Sequence, residues 1–305
     1  MNAATYRIGQ DVRSVAVQRR TGNSGGMIGM MDRRAWLLGA AAAGMMAGGG
    51  VASAAPFASR RIAVTVRGQG RDVLLVPGLA SGPGIWNGVV GALPGYRYHL
   101  VHVRGFAGLA PEANASGTLL QPIADEIARY VQGAGLKRPA IVGHSMGGTL
   151  ALLLGLKGLA GRVMVVDMLP AGAAMVCGTA SGMGFLADQL SGYLTGTAAG
   201  RRYLAQMVGQ MPGAQGSDPD VIANALRDLA NTDLGPQLPR LAVPLEVVYA
   251  VGSDMQQAAA ITSRFRTDYA GKKDARLKAI GPSGHLVMAD QPARFTATLR
   301  DFLTI

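Results

Sequence analysis

Cysteine, aromatic residues and charged residues are all scarce in this sequence, and each shortage excludes a class of protein. Its 305 residues include one cysteine, Cys177, so an internal disulfide and a paired-thiol metal site are both excluded. We interpret Cys177 as a packed thiol without a catalytic role, because no strand-then-helix pattern surrounds it. Aromatic residues make up 5% and charged residues 15%, against 49% hydrophobic residues. That balance excludes a disordered chain and is ample for a buried core.

Acidic residues are the rarer of the two charge types, and the formal net charge is +11. A basic surface can attract nucleic acid or an anionic membrane. However, the sequence contains no block of lysine and arginine with interleaved aromatic residues. We therefore predict a solvated basic surface and no nucleic-acid partner.

The first part of the chain is predicted to be a leader, which we assign to residues 1–54. Arg33 and Arg34 precede an almost purely apolar stretch that ends in Ala52-Ser53-Ala54. A charged start, an apolar run and small residues before a cleavage point are typical of a secretory signal peptide. The arginine pair resembles a twin-arginine signal, so we expect cleavage after Ala54 and a periplasmic or secreted protein. The alternative is an uncleaved membrane anchor, since the run is about long enough to cross a bilayer.

After the leader, strand patterns alternate with helix patterns. Several strands are apolar on both faces, which is typical of a parallel sheet covered by helices. The sequence therefore predicts an α/β fold with a mostly parallel central sheet. The predicted strands are 61–66, 72–76, 98–103, 139–142, 162–167, 244–250 and 275–280. The predicted helices are 84–93, 118–132, 145–159, 256–269 and 291–303.

The alternation stops between residues 171 and 239. This glycine- and methionine-rich stretch has only helical patterns and lies between two strands, and insertions of that length are usually functional. We predict a helical cap at 171–239 over a core formed by 55–170 and 240–305. Four methionines of the cap would suit an adaptable apolar pocket, although they could equally fill its core. They are Met175, Met183, Met207 and Met211.

The strongest chemical motif is Gly143-His144-Ser145-Met146-Gly147-Gly148, where a predicted strand runs into Gly-x-Ser-x-Gly and then into a helix. A sharp turn here needs small residues where backbone segments pass close together, and it lifts the serine hydroxyl clear of the sheet. The helix N-terminus at the same point favours developing negative charge. A second match, at residues 22–26, lies before the export signal with no strand or helix beside it. Ser145 is therefore our candidate nucleophile.

A serine hydroxyl needs a general base, and His285 is the best placed of four histidines. It follows the last predicted strand and precedes the last helix, at the carboxyl edge of the sheet where such folds place their sites. His99 and His102 lie inside a strand and are predicted to be structural. His144 adjoins the nucleophile and cannot easily turn back onto it.

These motifs, their order along the chain and the inserted cap resemble the α/β-hydrolase superfamily over about residues 61–303. The resemblance implies an acid between Ser145 and His285 in sequence. Asp254, after the strand at 244–250, is the favoured candidate, and Asp167, at the end of the preceding strand, is the alternative.

The resemblance also implies an oxyanion hole made by the backbone N–H groups of Leu79 and Met146. Many relatives have a histidine where this chain has Pro77, so the geometry of that loop is expected to differ.

The predicted activity is that of a serine hydrolase, carboxylesterase-like, which cleaves a small-molecule ester through an acyl-enzyme on Ser145. Such chemistry needs no metal and no organic cofactor. A serine nucleophile, rather than an aspartate, disfavours the dehalogenase and epoxide hydrolase branches of the superfamily. The substrate is expected to be an apolar ester, and no membrane span is expected after signal cleavage. The alternative is a non-catalytic protein on the same fold that binds a hydrophobic ligand.

Overall fold

The computed structural model describes residues 57–172, 197–210 and 213–304. The predicted signal peptide with its cleavage point after Ala54 lies outside these residues, as do Cys177 and three of the four cap methionines, Met175, Met183 and Met211. Within the described ranges, no helix is both long enough and apolar enough to cross a membrane.

A seven-stranded sheet forms the centre of the described fold. Its strands are β1 (Ile62–Gly68), β2 (Arg71–Val76), β3 (Tyr96–Val103), β4 (Ala140–His144), β5 (Arg162–Val166), β6 (Leu245–Ala250) and β7 (Arg276–Ile280). Their order across the sheet is β1-β3-β2-β4-β5-β6-β7. The first strand is antiparallel to β3 and every other pair is parallel. The predicted α/β class with a mostly parallel sheet is confirmed.

Eight α-helices connect and cover these strands in the described residues. They are α1 (Asn87–Ala92), α2 (Leu120–Gly133), α3 (Met146–Leu156), α4 (Ala198–Gly209), α5 (Pro219–Ala230), α6 (Met255–Asp268), α7 (Val287–Asp290) and α8 (Pro292–Thr304). Three 3₁₀ helices occur at Pro83–Trp86, Glu112–Asn114 and Gly235–Arg240. The single helix expected at 84–93 is thus a 3₁₀ turn followed by α1.

The two faces of the sheet carry separate hydrophobic cores. On one face, Ile123 and Ile127 of α2 pack with Leu150 of α3, since residues four apart share a helix face. On the other face, Trp86 packs with Phe295 and Phe302 of α8. Because the central strands are buried on both faces, their side chains are apolar in both directions rather than alternating.

The described part of the predicted cap, 171–239, contains α4, α5 and most of a 3₁₀ helix. Its only described strand-like pairing is an isolated bridge between Ala171 and Asp233. Asp218 is the N-cap of α5, where its carboxylate accepts hydrogen bonds from the N–H groups of Asp220 and Val221. The boundaries of the cap as a domain stay a prediction.

Candidate active site

Ser145 occupies a strained turn between β4 and α3. Its backbone angles are φ 52° and ψ −124°, a region that residues with a side chain rarely adopt. Its N–H donates to the carbonyl of Val166 in β5 at 2.8 Å, which holds the turn against the sheet. Strain of this kind persists only where the surrounding structure enforces it, and it is concentrated at functional sites.

The glycines of the motif are required by close backbone contacts. A Cβ at residue 143 would lie 1.9 Å from the carbonyl oxygen of Gly147, and a Cβ at residue 147 would lie 2.3 Å from that of Val76. Real Cβ atoms never approach so closely, so any side chain at either position would force the turn open. The sequence therefore folds this way only because both positions are glycine, as the motif predicts.

The loop after β2 lies directly against Ser145. A Cβ at Gly78 would be 3.0 Å from the Cβ of Ser145, so this loop packs against the serine with no room for a side chain. Leu79 follows Gly78, and Met146 follows Ser145 at the start of α3. No acceptor is found for the N–H of Leu79 or Met146 within the described ranges. Both predicted oxyanion donors thus belong to segments that adjoin the serine.

His285 and Asp167 form a short hydrogen bond next to this turn. The Nδ1 of His285 lies 2.6 Å from Oδ2 of Asp167. The other carboxylate oxygen, Oδ1, accepts the N–H of Ala250 at 2.9 Å, so the end of β6 fixes the carboxylate. Because a carboxylate only accepts, Nδ1 of His285 carries a proton, and in the neutral ring Nε2 then has the free lone pair. That is the tautomer a general base requires.

Asp254, the acid favoured from the sequence, does not contact His285. It is the N-cap of α6, where its Oδ1 accepts the N–H of Gln257 at 2.7 Å, and its side chain is exposed. The structure therefore corrects the preferred pairing to the alternative, Asp167. The reason is geometric: Asp167 directly follows β5, the strand adjacent to β4, whereas Asp254 lies four residues beyond β6, where it caps a helix.

His144 ties the His285 loop to the turn, a contact that the sequence did not reveal. Its Nε2 lies 2.8 Å from the backbone carbonyl of His285, and the two rings are 4.6 Å apart, centroid to centroid. Because the carbonyl accepts, the proton of His144 is on Nε2. Complete burial, followed by the nearby charge of His285, lowers the pKa of His144 to about 4, so this ring is neutral at neutral pH.

The hydroxyl of Ser145 and the ring of His285 are not hydrogen-bonded to each other in the described part of the chain; His144, which precedes Ser145, links the two, since its ring lies 4.6 Å from that of His285. Catalytic hydrogen bonds are often long in free enzymes and tighten only when substrate binds. His285 is partly exposed, with 36% of its side chain accessible, whereas Asp167 is 11% accessible. A partly exposed imidazole on a buried carboxylate, beside a strained serine, can perform general acid–base chemistry on that serine.

The remaining described histidines bond elsewhere, as expected. His99 is buried between Tyr130, 2.6 Å from its Nδ1, and Asp72, 2.9 Å from its Nε2. His102 donates to the carbonyl of Phe106. Neither contacts Ser145. Within the described ranges, no group of three or more histidine, cysteine, aspartate or glutamate side chains is arranged to hold a metal ion.

Comparison with protein families gives a match over most of the chain. The profile of the alpha/beta hydrolase family matches residues 73–298, which include Ser145, Asp167 and His285. A search of curated proteins found no match.

Several solved structures are similar in fold. An esterase from Exiguobacterium antarcticum aligns with a TM-score of 0.61 and 21% identity over 80% of this chain and 96% of that one. An enol-lactonase from Burkholderia xenovorans LB400 aligns with a TM-score of 0.58 and 21% identity over 80% and 96%. A carboxylesterase structure from Nitrososphaera gargenis aligns with a TM-score of 0.61 and 14% identity over 80% and 94%. At these identities the likeness shows a shared fold.

Proposed function

This chain belongs to the alpha/beta hydrolase family, and we propose that it is a serine hydrolase that cleaves an ester-like bond through an acyl-enzyme on Ser145. The observation that carries the proposal is the 2.6 Å contact between His285 and Asp167 beside the strained turn at Ser145. This arrangement brings together the carboxylate of Asp167, fixed by the sheet, the imidazole of His285, in the tautomer that a general base needs, and Ser145, held out of the sheet by its turn.

In the proposed mechanism, Nε2 of His285 takes the proton of Ser145 as its Oγ attacks the ester carbonyl. Asp167 holds the ring in place and stabilises the imidazolium that forms. The imidazolium then gives its proton to the departing alcohol, which leaves an acyl group on Ser145. Water, deprotonated by His285, attacks the acyl carbonyl, and Ser145 recovers its proton as the acid product leaves.

The attack creates a negatively charged oxygen, which we propose is held by the N–H groups of Leu79 and Met146. Each such donor contributes about 3 kcal/mol of transition-state stabilisation in enzymes of this kind. The supporting observation is the position of Gly78, whose missing side chain lets this loop pack on Ser145. The positive end of the α3 dipole would act on the same oxygen.

We propose a carboxylic ester of an apolar acid or alcohol as the substrate. Two observations support this choice. The similar structures are described as an esterase, an enol-lactonase and a carboxylesterase, all of which act on ester bonds by name. Met207, in α4 of the predicted cap, is 47% exposed, which provides flexible apolar surface in that insertion.

We further propose that residues 1–54 direct export and are removed. The support is the sequence alone, with its arginine pair, apolar run and Ala-Ser-Ala site. Intact mass of the protein from a periplasmic extract tests this proposal. A mature protein that begins at Ala55 supports it, and a protein that retains the apolar run contradicts it.

A fluorophosphonate probe tests the hydrolase proposal, because it reacts only with a serine that a base has activated. The protein should gain one probe mass, and peptide mapping should place it on Ser145. Ser145→Ala should abolish labelling, and His285→Gln should slow it strongly while leaving the fold intact. A folded protein that does not label at Ser145 would instead be the ligand-binding alternative.

A further inference from the structure

A cavity lies at the opposite edge of the sheet from Ser145. It has a volume of about 340 Å³, which falls in the range of small-ligand clefts. The residues at its wall begin or precede parallel strands: Arg71 starts β2, Arg162 starts β5 and Arg138 precedes β4 by two residues. Ser145 follows the end of β4. The cavity is therefore separate from the candidate active site.

The charges around this cavity are strongly unbalanced. Four cationic side chains and one carboxylate line it: Arg71, Lys137, Arg138, Arg162 and Asp72. The carboxylate is already neutralised, since Arg97 donates to both of its oxygens at 2.5 and 3.0 Å and His99 contacts it at 2.9 Å. None of the four cations forms a salt bridge with any residue that the structure describes.

Two of these arginines are held in place by the end of helix α8. Arg71 donates to the carbonyl of Leu303 at 2.7 Å, and Arg162 donates to the carbonyl of Phe302. Each guanidinium also lies over an aromatic ring, Tyr96 for Arg71 and Phe302 for Arg162. A guanidinium has five N–H donors, so both retain donors for another acceptor. Because both side chains are already held in place, they lose less conformational entropy when they bind such an acceptor.

The two arginines repel each other across this space. Burial, and after it the charge of Arg71, lowers the pKa of Arg162. Like charges held together without a counter-ion cost free energy, and a bound anion would remove that cost. Fixed guanidinium groups match the oxygen atoms of phosphate in paired hydrogen bonds.

From this cavity we propose a binding site for a small soluble phosphoanion with two or more negative charges, held by Arg71, Arg162, Lys137 and Arg138. The site is independent of the proposed hydrolase chemistry. A bound anion would connect the starts of β2, β4 and β5 to helix α8. We therefore expect the anion to stabilise the fold rather than to take part in ester cleavage.

Isothermal titration with inorganic pyrophosphate, at constant ionic strength set with sodium chloride, tests the proposal. Lys137→Gln with Arg138→Asn removes two of the cations. Both side chains are exposed, and asparagine tolerates the left-handed backbone at residue 138, where φ is 51°. We expect saturable binding by the unaltered protein and a loss of about tenfold or more in affinity in the double variant. Lys137→Gln alone, which leaves that backbone unchanged, should weaken binding in the same direction.

The matched control is Arg266→Gln with Lys273→Gln, which removes the same charge from exposed positions elsewhere. This pair should bind pyrophosphate as the unaltered protein does, and so should Ser145→Ala. Absence of binding, an equal loss in the control pair, or a loss in Ser145→Ala would each overturn the proposal.

A phospholipid headgroup presents the same phosphate chemistry as a free phosphoanion. Co-sedimentation with phosphatidylglycerol vesicles shows whether the cavity binds a lipid phosphate or a soluble one. A soluble ligand predicts pyrophosphate binding without vesicle binding. Vesicle binding that the double variant loses and that pyrophosphate does not displace would contradict the assignment to a small soluble anion.

Discussion

Replacing Asp167 by asparagine should nearly abolish ester hydrolysis while leaving the fold intact. The Oδ1 of asparagine can still accept the N–H of Ala250, so the amide nitrogen takes the position of Oδ2, opposite Nδ1 of His285. An amide N–H donates, which forces Nδ1 to accept and moves the imidazole proton to Nε2. Nε2, the nitrogen that takes the serine proton in the proposed mechanism, then has no lone pair with which to do so.

The expected loss in kcat/KM is about 10⁴-fold, which corresponds to about 5 kcal/mol of transition-state stabilisation. Hydrolysis of p-nitrophenyl butyrate measures it, with thermal unfolding as a check on the fold. Asp254→Asn is the matched control, because asparagine also serves as an N-cap and this carboxylate does not reach His285. A kcat/KM within tenfold of the unaltered protein in Asp167→Asn, or a loss of more than 100-fold in Asp254→Asn, would refute the assignment.

Three further predictions follow from the packing around Ser145. The pKa of His144 is about 4 in the folded state and about 6.5 in the unfolded state, so the unfolded state binds more protons between these values. The free energy of unfolding should therefore fall by about 3 kcal/mol as the pH drops from about 6.5 to about 4. In urea unfolding, His144→Gln, which keeps an amide donor in place of Nε2, should reduce this dependence of stability on pH. Gly143→Ala should prevent folding or abolish probe labelling, because its Cβ would overlap the carbonyl of Gly147, and circular dichroism with labelling distinguishes the two. Ser217→Ala removes the hydroxyl that donates to the carbonyl of Ala80, which follows Leu79 in the loop after β2. This variant should lower kcat several-fold with little change in KM, and unchanged kinetics would mean that the position of the loop does not depend on this contact.

The sheet could be predicted from the sequence because its signals are local. Central strands such as β4 and β5 are continuous apolar runs, and α2 repeats its apolar residues every fourth position. What could not be predicted is the order of the strands. β1 and β2 are separated by only two residues, yet both pair with β3, and nothing in their own side chains encodes that non-local choice.

Ser145 and His285 could be located from sequence because each lies in a distinctive junction between a strand and a helix. Position after a strand did not locate the acid, because Asp167 and Asp254 both follow strands that end at the same edge of the sheet. A local signal did separate them. Asp254 is followed three residues later by Gln257, which is the sequence pattern of a helix N-cap. Asp167 has no such pattern, and its left-handed backbone, φ 51°, is visible only in the structure.

The covalent intermediate is the most direct test of the account. The protein should be mixed with p-nitrophenyl butyrate, quenched in acid within milliseconds, and its intact mass and peptides recorded. One butyryl group on the peptide that contains Ser145, formed with a burst of about one equivalent of p-nitrophenol when deacylation is slow, is the expected result. Steady ester turnover that persists in Ser145→Ala, with no acyl group on the unaltered protein, would contradict it.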